Sequence, residues 1–428
     1  MNIINIDKKI KKNDKIKICI LGLGYVGLPL AIAFAKKFSV TGYDVDKSRI
    51  NDLKKGQDKN NEIKFKKLKN FYLTSNPEDL KECNCYIVTL PTPIKFDKTP
   101  DLSIITDGTK LISKYLNYGD VVIYESTVYP GCTEEFCVPI LEQGSDLKLN
   151  KDFHCGYSPE RINPGDKYHQ IKNIVKIVSG SNKKVSSFIE YLYGSIIDAG
   201  TFKASSIKVA EAAKVIENTQ RDLNIAFINE LSIIFNKLNL NTEEILQAAE
   251  SKWNFHKYRP GLVGGHCIGI DPYYLTYKAN QVGHIPKIIL SGREINNSMS
   301  IYVTENLLKK MKQKQIRILN SKILILGLSF KENCSDLRNS KVFEIISNLK
   351  KHKCIIEVYD PLIKNYKSKN FKLISRLKTN KYDAIMICIK HDVFKKISND
   401  TLKKCCKKNF VIYDLKYLYK KEESDLRL

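Results

Sequence analysis

The sequence predicts an α/β protein in which two doubly wound domains are joined by a long central helix. Three observations carry this prediction. Near the N-terminus, an apolar strand, a glycine-rich turn and an apolar helical segment follow one another directly. Ser205–Leu238 lacks Pro and Gly and repeats apolar residues every three or four positions, which is typical of one continuous helix. A second series of apolar strands and helical segments begins near Ser321.

These patterns divide the 428 residues into three domains. We expect residues 1–203 and 319–428 to form the two α/β domains, and residues 204–318 to form a central helical domain. The central helix is longer than an ordinary domain helix, so we expect it to pack against a partner subunit in a homodimer.

Composition and charge limit the possible classes of function. No run of about 18 apolar residues predicts a membrane span, and the charged N-terminus lacks an apolar signal core, so we expect a cytoplasmic protein. The 12 cysteines are then expected to be reduced thiols, and without paired CxxC or HExxH motifs no metal site is expected. The net charge of +25 comes from lysines along the whole chain, which fits a biased composition at least as well as a nucleic-acid surface.

The first strand, Ile16–Leu21, runs into the pattern Gly22-x-Gly24-x-x-Gly27, and a second strand ends in Asp44. This is the context of a Rossmann dinucleotide fingerprint, in which the glycines allow a tight turn, a close approach to the pyrophosphate and close helix packing. Asp44 can accept hydrogen bonds from the ribose hydroxyls and would repel a 2′-phosphate, so NAD is favoured over NADP. The expected cofactor contacts in this turn are Gly22, Leu23, Gly24, Tyr25, Val26, Gly27 and Asp44.

Two further buried strands are predicted at Cys85–Pro91 and Val121–Ser126. Ligands of an open parallel sheet bind beyond the carboxyl ends of its strands. Thr92, Ser126 and Thr127 are therefore expected to line the cofactor cleft.

The second α/β domain is predicted from four apolar strands, with a lysine-rich solvated connector at 364–381. Its first strand ends in Gly327, which fits a nucleotide-binding sheet with modified glycines. The strands begin near Ser321 and continue in three further segments, Ile355–Pro361, Tyr382–Ile389 and Phe410–Leu415.

The segment GGHCIGIDPYY, residues 264–274, carries a candidate thiol nucleophile at Cys267. A thiol combined with a hydride acceptor indicates oxidation to an acid through a covalent intermediate. Lys214 and Asn218 lie four residues apart in the predicted central helix and therefore share one face. His266 is interpreted as a structural or substrate contact, and Asp271, which precedes a proline, also fits a turn cap.

Six motifs follow one another along nearly the whole chain. They are GLGYVGLP (22–29), YESTVYPG (124–131), SPERINPG (158–165), EAAKVIENTQRDLNIAFINE (211–230), GGHCIGIDPYY (264–274) and SFKENCSDLRNS (329–340). In these motifs and in their order the chain resembles the UDP-glucose/GDP-mannose dehydrogenases, NAD-dependent enzymes that oxidise the C6 alcohol of a nucleotide sugar to a carboxylate.

The resemblance is strongest to the branch that acts on UDP-N-acetylhexosamines. UDP-glucose enzymes usually carry an apolar residue in place of Arg161, a glutamate in place of Pro164 and a lysine in place of Ile270. The resemblance therefore implies a four-electron oxidation of UDP-N-acetylglucosamine or UDP-N-acetylgalactosamine by NAD, for a surface polysaccharide such as a capsule or O-antigen. A UDP-glucose or GDP-mannose dehydrogenase remains an alternative, and a non-catalytic nucleotide- or nucleic-acid-binding protein is a more remote one.

The resemblance also implies residue roles. Cys267 is the nucleophile, and Lys214 and Asn218 hold the substrate oxygen as charge builds on it. Asp271, Glu160 and Thr127 position the hydrolytic water or move protons, and which acid is the base stays open; Glu160 also fits a surface ion pair. Additional cofactor contacts are Arg49 and Arg338. Additional substrate contacts are Arg161, Arg259 (within one protomer or across the dimer), Gly264, Gly265, Lys331 and Lys416, the last at a position where the family often has arginine.

Overall fold

The computed structural model describes residues 16–58, 68–161, 171–265 and 267–428. The chain divides into two compact units. The first contains the residues up to Glu217 together with Tyr273–Ile285, and the second contains Asn218–Pro272 and Pro286–Leu428.

The first unit is built on an eight-stranded sheet with the order β3-β2-β1-β4-β5-β6-β7-β8. Every strand pair is parallel except β6 with β7, which is antiparallel. The strands are β1 Lys17–Leu21, β2 Ser39–Tyr43, β3 Phe71–Thr74, β4 Cys85–Val88, β5 Val121–Tyr124, β6 His154–Tyr157, β7 Lys176–Gly180 and β8 Thr201–Lys203. The α-helices within it are α1 Gly27–Ala35, α2 Lys47–Lys54, α3 Ser103–Ser113, α4 Val138–Ser145 and α5 Lys183–Gly194.

The core of the first unit forms because strands β1, β4 and β5 are apolar on both faces, as expected when helices cover both sides of a parallel sheet. On one side, Phe34 of α1 packs against Tyr193 of α5 with ring centroids 5.5 Å apart. Local signals set the helix starts, since Asn182 caps α5 by accepting from the Val185 N–H at 3.0 Å.

Helix α6, Ile207–Lys237, is a single helix of 31 residues that begins in the first unit and continues into the second. The second unit also has a six-stranded, all-parallel sheet with the order β11-β10-β9-β12-β13-β14. Its strands are β9 Lys322–Leu326, β10 Ile355–Tyr359, β11 Lys372–Ile374, β12 Tyr382–Ile387, β13 Cys406–Asp414 and β14 Leu426–Arg427. The remaining α-helices are α7 Thr242–Glu250, α8 Asp271–Gln281, α9 Lys287–Gln313, α10 Val342–Lys351 and α11 Asn399–Cys405.

Both sheets begin with the same strand order, in which the third, second, first and fourth strands lie side by side. The turn after the first strand is also alike. Gly327 has φ +87° and its N–H donates to the Tyr359 carbonyl at 3.0 Å, while the Leu328 N–H donates to Asp360 at 2.8 Å. The prediction of two doubly wound Rossmann-like domains joined by a long helix is therefore confirmed.

The predicted central helix, 205–238, agrees with α6 within two residues at each end. The interpretation of 364–381 as a connector only is wrong, because β11 lies within it and pairs with β10 from Glu357 opposite Lys372. This strand has three residues and lies at the edge of the sheet. Because its apolar pattern is so short, it cannot be distinguished from the surrounding lysine-rich sequence. The three-domain boundaries stay a prediction. Within the described residues, no helix is both long and apolar enough to cross a membrane.

Candidate active site

The glycine-rich turn after β1 is shaped by close backbone contacts. Gly22 has φ +97°, a conformation that side chains disfavour. A Cβ on Gly27 would lie 1.9 Å from the Gly22 carbonyl oxygen, so α1 starts against the turn itself. Gly24 is exposed, and a Cβ there would meet nothing within 4 Å. The turn thus leaves open space over the start of α1, flanked by the half-buried Tyr25 and Val26.

Asp44 and Arg49 brace this turn from two sides. Asp44, directly after β2, accepts from the Leu23 N–H at 2.9 Å and from the Asp46 N–H at 3.0 Å. The Arg49 guanidinium donates to the Leu23 carbonyl from Nε at 3.1 Å and from Nη2 at 2.9 Å, and its Nη1 pairs with Asp58 at 2.8 Å. Both residues therefore lie at the predicted cofactor turn, with Arg49 engaged by the protein itself.

The structure brings together the small polar residues after β4 and β5. The Thr92 hydroxyl donates to the Thr127 carbonyl at 2.7 Å, and the buried Ser126 hydroxyl donates to the Leu90 carbonyl at 2.6 Å. These contacts join the two strand ends at the carboxyl edge of the sheet, and the role of these residues in lining the cofactor cleft stays a prediction.

Glu160 and Arg161 follow β6 at the same edge. Glu160 accepts from the Arg161 N–H at 2.6 Å through Oε1, and its Oε2 lies 3.3 Å from Lys176 Nζ. Arg161 pairs through Nη1 with Glu217 at 2.8 Å and donates through Nη2 to the Val175 carbonyl. Glu160 is half-buried and pairs with a buried lysine, so the alternative of a solvated surface ion pair does not hold.

Lys214 and Asn218 lie one turn apart on α6. Lys214 is only 7% exposed, which is unusual for a lysine. Asn218 Nδ2 donates to Asp271 Oδ2 at 2.6 Å, and Asp271 is buried. The carbonyl of Cys267 accepts from the Asp271 N–H at 2.8 Å. This turn places the Cys267 backbone next to the first residue of α8, within the second unit.

The two glycines before the cysteine are needed by the protein's own packing. A Cβ on Gly264 would lie 2.7 Å from the Asn339 carbonyl oxygen, and one on Gly265 would lie 2.7 Å from the Phe330 ring. Gly265 also has φ +84° and its carbonyl accepts from Asn339 Nδ2 at 3.2 Å. The glycines thus allow the cysteine segment to pack against the 329–340 segment. This need for glycine was not predicted from the sequence. His266 and Pro164 lie outside the described residues.

Three of the basic residues expected to contact substrate or NAD lie in the second unit. The Lys331 carbonyl accepts from the Ser329 hydroxyl at 2.8 Å, which shapes the start of the 329–340 segment. Exposed Arg338 pairs with Asp336, and Lys416 pairs with Glu332 at 3.3 Å. Lys331 and Arg338 therefore share one segment, and Lys416 reaches it through Glu332.

Arg259 forms ion pairs with two carboxylates of α7. Its Nε lies 2.7 Å from Glu243 Oε2, and its Nη1 pairs with Glu250. Within the chain, these two carboxylates neutralise the positive charge of Arg259. Its contact with sugar or phosphate stays a prediction.

Comparison with known proteins decides the family. Three family models match in order. The NAD binding domain of the UDP-glucose/GDP-mannose dehydrogenase family matches residues 16–197, its central domain 208–298 and its UDP binding domain 324–421. The chain belongs to the UDP-glucose/GDP-mannose dehydrogenase family.

Named relatives cover nearly the full chain. The chain is 52% identical to a UDP-N-acetyl-D-glucosamine 6-dehydrogenase of Salmonella typhi, over 97% of this chain and 99% of that protein. It is 50% identical to a protein of the same name from Pseudomonas aeruginosa, over 96% and 99%. Among solved structures, a UDP-D-ManNAc dehydrogenase from Pyrococcus horikoshii matches with a TM-score of 0.87 and 29% identity, covering 96% of this chain and 98% of that one.

This member of the UDP-glucose/GDP-mannose dehydrogenase family is an NAD-dependent nucleotide-sugar 6-dehydrogenase, an oxidoreductase with a UDP-sugar substrate. The first unit fits NAD, because the turn between β1 and α1 carries the exposed, side-chain-free Gly24 and is bonded to Asp44 through the Leu23 N–H. Gly22–Gly27 would hold the pyrophosphate, and Asp44 the adenosine ribose.

Two buried groups of this dehydrogenase lie beside the predicted residues and were not predicted from its sequence. Lys176 begins β7 next to Glu160, and its signal was a lysine in front of the apolar run IVSG. His391 follows β12, lies 3.2 Å from Asp360 and accepts from the Asn333 N–H at 2.9 Å. His391 thereby holds the segment that carries Lys331.

Proposed function

We propose that this chain oxidises the C6 hydroxyl of a UDP-N-acetylhexosamine, with UDP-N-acetyl-D-glucosamine as the first candidate, to the uronic acid in the cytoplasm, for a surface polysaccharide. The observation that carries the proposal is the contact between Asn218 and Asp271 beside the Cys267 turn; these three residues, proposed as catalytic, all belong to the second unit. The names of the 52% and 50% identical relatives support the choice of sugar.

The overall reaction converts R–CH2OH, two NAD+ and one water into R–COO−, two NADH and three protons. When bound, NAD would supply the acceptor for one hydride in each of the two oxidation steps. The thiolate of Cys267 adds to the carbonyl carbon of the aldehyde, and after the second oxidation the sulfur is held in a thioester. Water then breaks the C–S bond, which releases the carboxylate and returns the thiol.

Lys214 and Asn218 stabilise the substrate oxygen as negative charge develops. A carboxamide carries two N–H donors, so Asn218 can donate one to Asp271 and direct the other at substrate. Lys214 brings a positive charge on a buried side chain, where low dielectric strengthens its effect on the oxygen.

Glu160, Asp271 and Thr127 are proposed to order the water that hydrolyses the thioester and to accept its proton. Glu160 and Thr127 follow β6 and β5, neighbouring strands at the carboxyl edge of the first sheet. Lys331, Lys416, Arg161 and Arg259 are proposed to bind the UDP-sugar, and Arg338 to contact NAD.

We also propose a homodimer that forms through α6, which exposes apolar side chains along its length. Val209, Ile216, Phe227 and Ile234 are each more than 40% exposed. The cytoplasmic location is supported by the absence of disulfides among the described cysteines.

A substrate screen tests the proposed function. Purified protein is incubated with NAD and, separately, UDP-N-acetylglucosamine, UDP-N-acetylgalactosamine, UDP-glucose and GDP-mannose. We expect NADH from a UDP-N-acetylhexosamine at two equivalents per sugar, with the uronic acid identified by mass and C4 configuration. Turnover of only UDP-glucose or GDP-mannose would reject the branch. Salt-sensitive binding to random DNA without any turnover would favour the non-catalytic alternative.

A further inference from the structure

A buried lysine in the first unit lies between two carboxylates. Lys176 Nζ is 3.0 Å from Glu125 Oε2 and 3.3 Å from Glu160 Oε2, and it donates to the Pro159 carbonyl at 3.0 Å. The side chains of Lys176 and Glu125 are 5% and 0% exposed. Lysines are almost never fully buried unless they are paired, so this arrangement is a built feature of the unit.

The sheet topology explains how Lys176 reaches this position. Glu125 and Glu160 follow β5 and β6 at the carboxyl edge of the sheet, where ligands of such sheets bind. Strand β7 runs antiparallel to β6. The first residue of β7, Lys176, therefore lies at the edge where β6 ends, which a parallel strand would not allow.

The cluster is balanced by hydrogen bonds as well as charge. Burial raises the pKa of Glu125 to about 7, against the attraction of Lys176, and the Tyr193 hydroxyl donates to its Oε1. Burial by itself would lower the pKa of Lys176, but Glu125 and Glu160 outweigh it and raise that pKa. Lys176 thus stays charged and forms ion pairs with both carboxylates.

Glu160 is held at both carboxylate oxygens. Its Oε1 accepts from the Arg161 N–H at 2.6 Å, and its Oε2 faces Lys176. Two fixed donors set the plane of the carboxylate, which a single contact would leave free to rotate. A catalytic group acts efficiently only when it is held close to its productive geometry.

We propose that Lys176 is a positioning residue of the dehydrogenase, which holds the carboxylate of Glu160 in the orientation in which it acts during acid formation. This inference rests on the proposed function of Glu160. Glu125 pairs with the ammonium of Lys176 at 3.0 Å, and the ammonium lies 5.1 Å from the centroid of the Tyr193 ring.

The test compares variants of the full chain. Lys176→Met alone leaves Glu125 buried without a cation and can impair folding. The double variant Lys176→Met with Glu125→Gln removes both charges, so the core stays neutral while Glu160 loses its lysine. Glu125→Gln alone keeps the contact between Lys176 and Glu160. Lys203→Met, which removes a half-exposed pair with Glu190, is the matched control.

For the double variant we expect kcat for uronic acid formation to fall about tenfold or more while KM changes less than about threefold. We also expect the Arg161 amide to exchange its hydrogen about tenfold faster, because its acceptor is no longer held. Lys203→Met should retain wild-type values in both measurements. Glu125→Gln should lose much less kcat than the double variant and keep the exchange rate of Arg161, because Lys176 still contacts Glu160. Lys176→Arg, which keeps the cation, should also lose less kcat than the double variant.

A double variant with wild-type kcat and wild-type exchange at Arg161 would overturn the inference. Amide exchange needs no substrate, so it tests the position of Glu160 separately from the reaction. If wild-type protein oxidises none of the nucleotide sugars, that result counts against the proposed function and not against the position of Glu160.

Discussion

Replacement of Cys267 by serine is expected to abolish uronic acid formation while NAD still binds. A serine hydroxyl is hardly ionised near neutral pH, so it cannot add to the aldehyde as a thiolate does. We expect acid formation to fall by at least about a thousandfold. Mass spectrometry of the product and NADH counted per sugar measure the loss, and a cofactor titration by fluorescence checks that the first unit is intact.

Cys334→Ser is the matched control, because Cys267 and Cys334 are the cysteines of the described residues that are not buried. A serine at 334 can still accept from the Asp336 N–H, as the Cys334 sulfur does at 3.3 Å. We expect near-wild-type turnover from this variant. Normal steady turnover in Cys267→Ser would remove the covalent role of Cys267.

Gly27→Ala is expected to weaken NAD binding by at least about tenfold and to lower the free energy of unfolding by about 1–3 kcal/mol. The added Cβ would lie 1.9 Å from the Gly22 carbonyl oxygen and 2.5 Å from the Thr89 hydroxyl oxygen. Backbone cannot give way as a flexible side chain can, so α1 must move from the turn and change the space for the pyrophosphate. Isothermal titration with NAD and urea denaturation measure the two effects.

The control for this substitution is Gly194→Ala, at the last residue of α5. A Cβ there meets nothing within 4 Å, and the backbone is not left-handed. Alanine is favoured over glycine in a helix, so we expect unchanged NAD affinity and equal or slightly greater stability, by up to about 1 kcal/mol. Unchanged NAD affinity in Gly27→Ala would show that the turn tolerates a Cβ and that close packing at Gly27 is unnecessary.

Local patterns were sufficient to predict much of the fold. The strand, turn and helix at Gly22–Gly27 follow from residues next to one another in the chain, and α6 follows from apolar spacing over 31 residues. The edge strand β11 was missed because three residues carry too weak a pattern among lysines. Short strands take their structure from the neighbour with which they pair, here β10.

The candidate site divides in the same way. Residue type and motif predicted Cys267, Asp271 and Asn218, but not the 2.6 Å contact that joins Asn218 to Asp271 across 53 positions of the chain. The glycines at 264 and 265 were expected to contact substrate. In the structure, the absence of a side chain at these positions also leaves room for Phe330 and the Asn339 backbone. Such contacts depend on distant segments, so no local pattern reports them.

Residue identity and short-range spacing were enough to predict the family and the two nucleotide-binding sheets, and they predict a thiol nucleophile at Cys267. Which charges are buried together follows only from the folded chain. Lys176 reaches Glu160 because β7 runs antiparallel to β6, and Arg259 meets two acids of α7. Strand direction and desolvation are properties of the folded chain, and they set where a charge is held and what it can do.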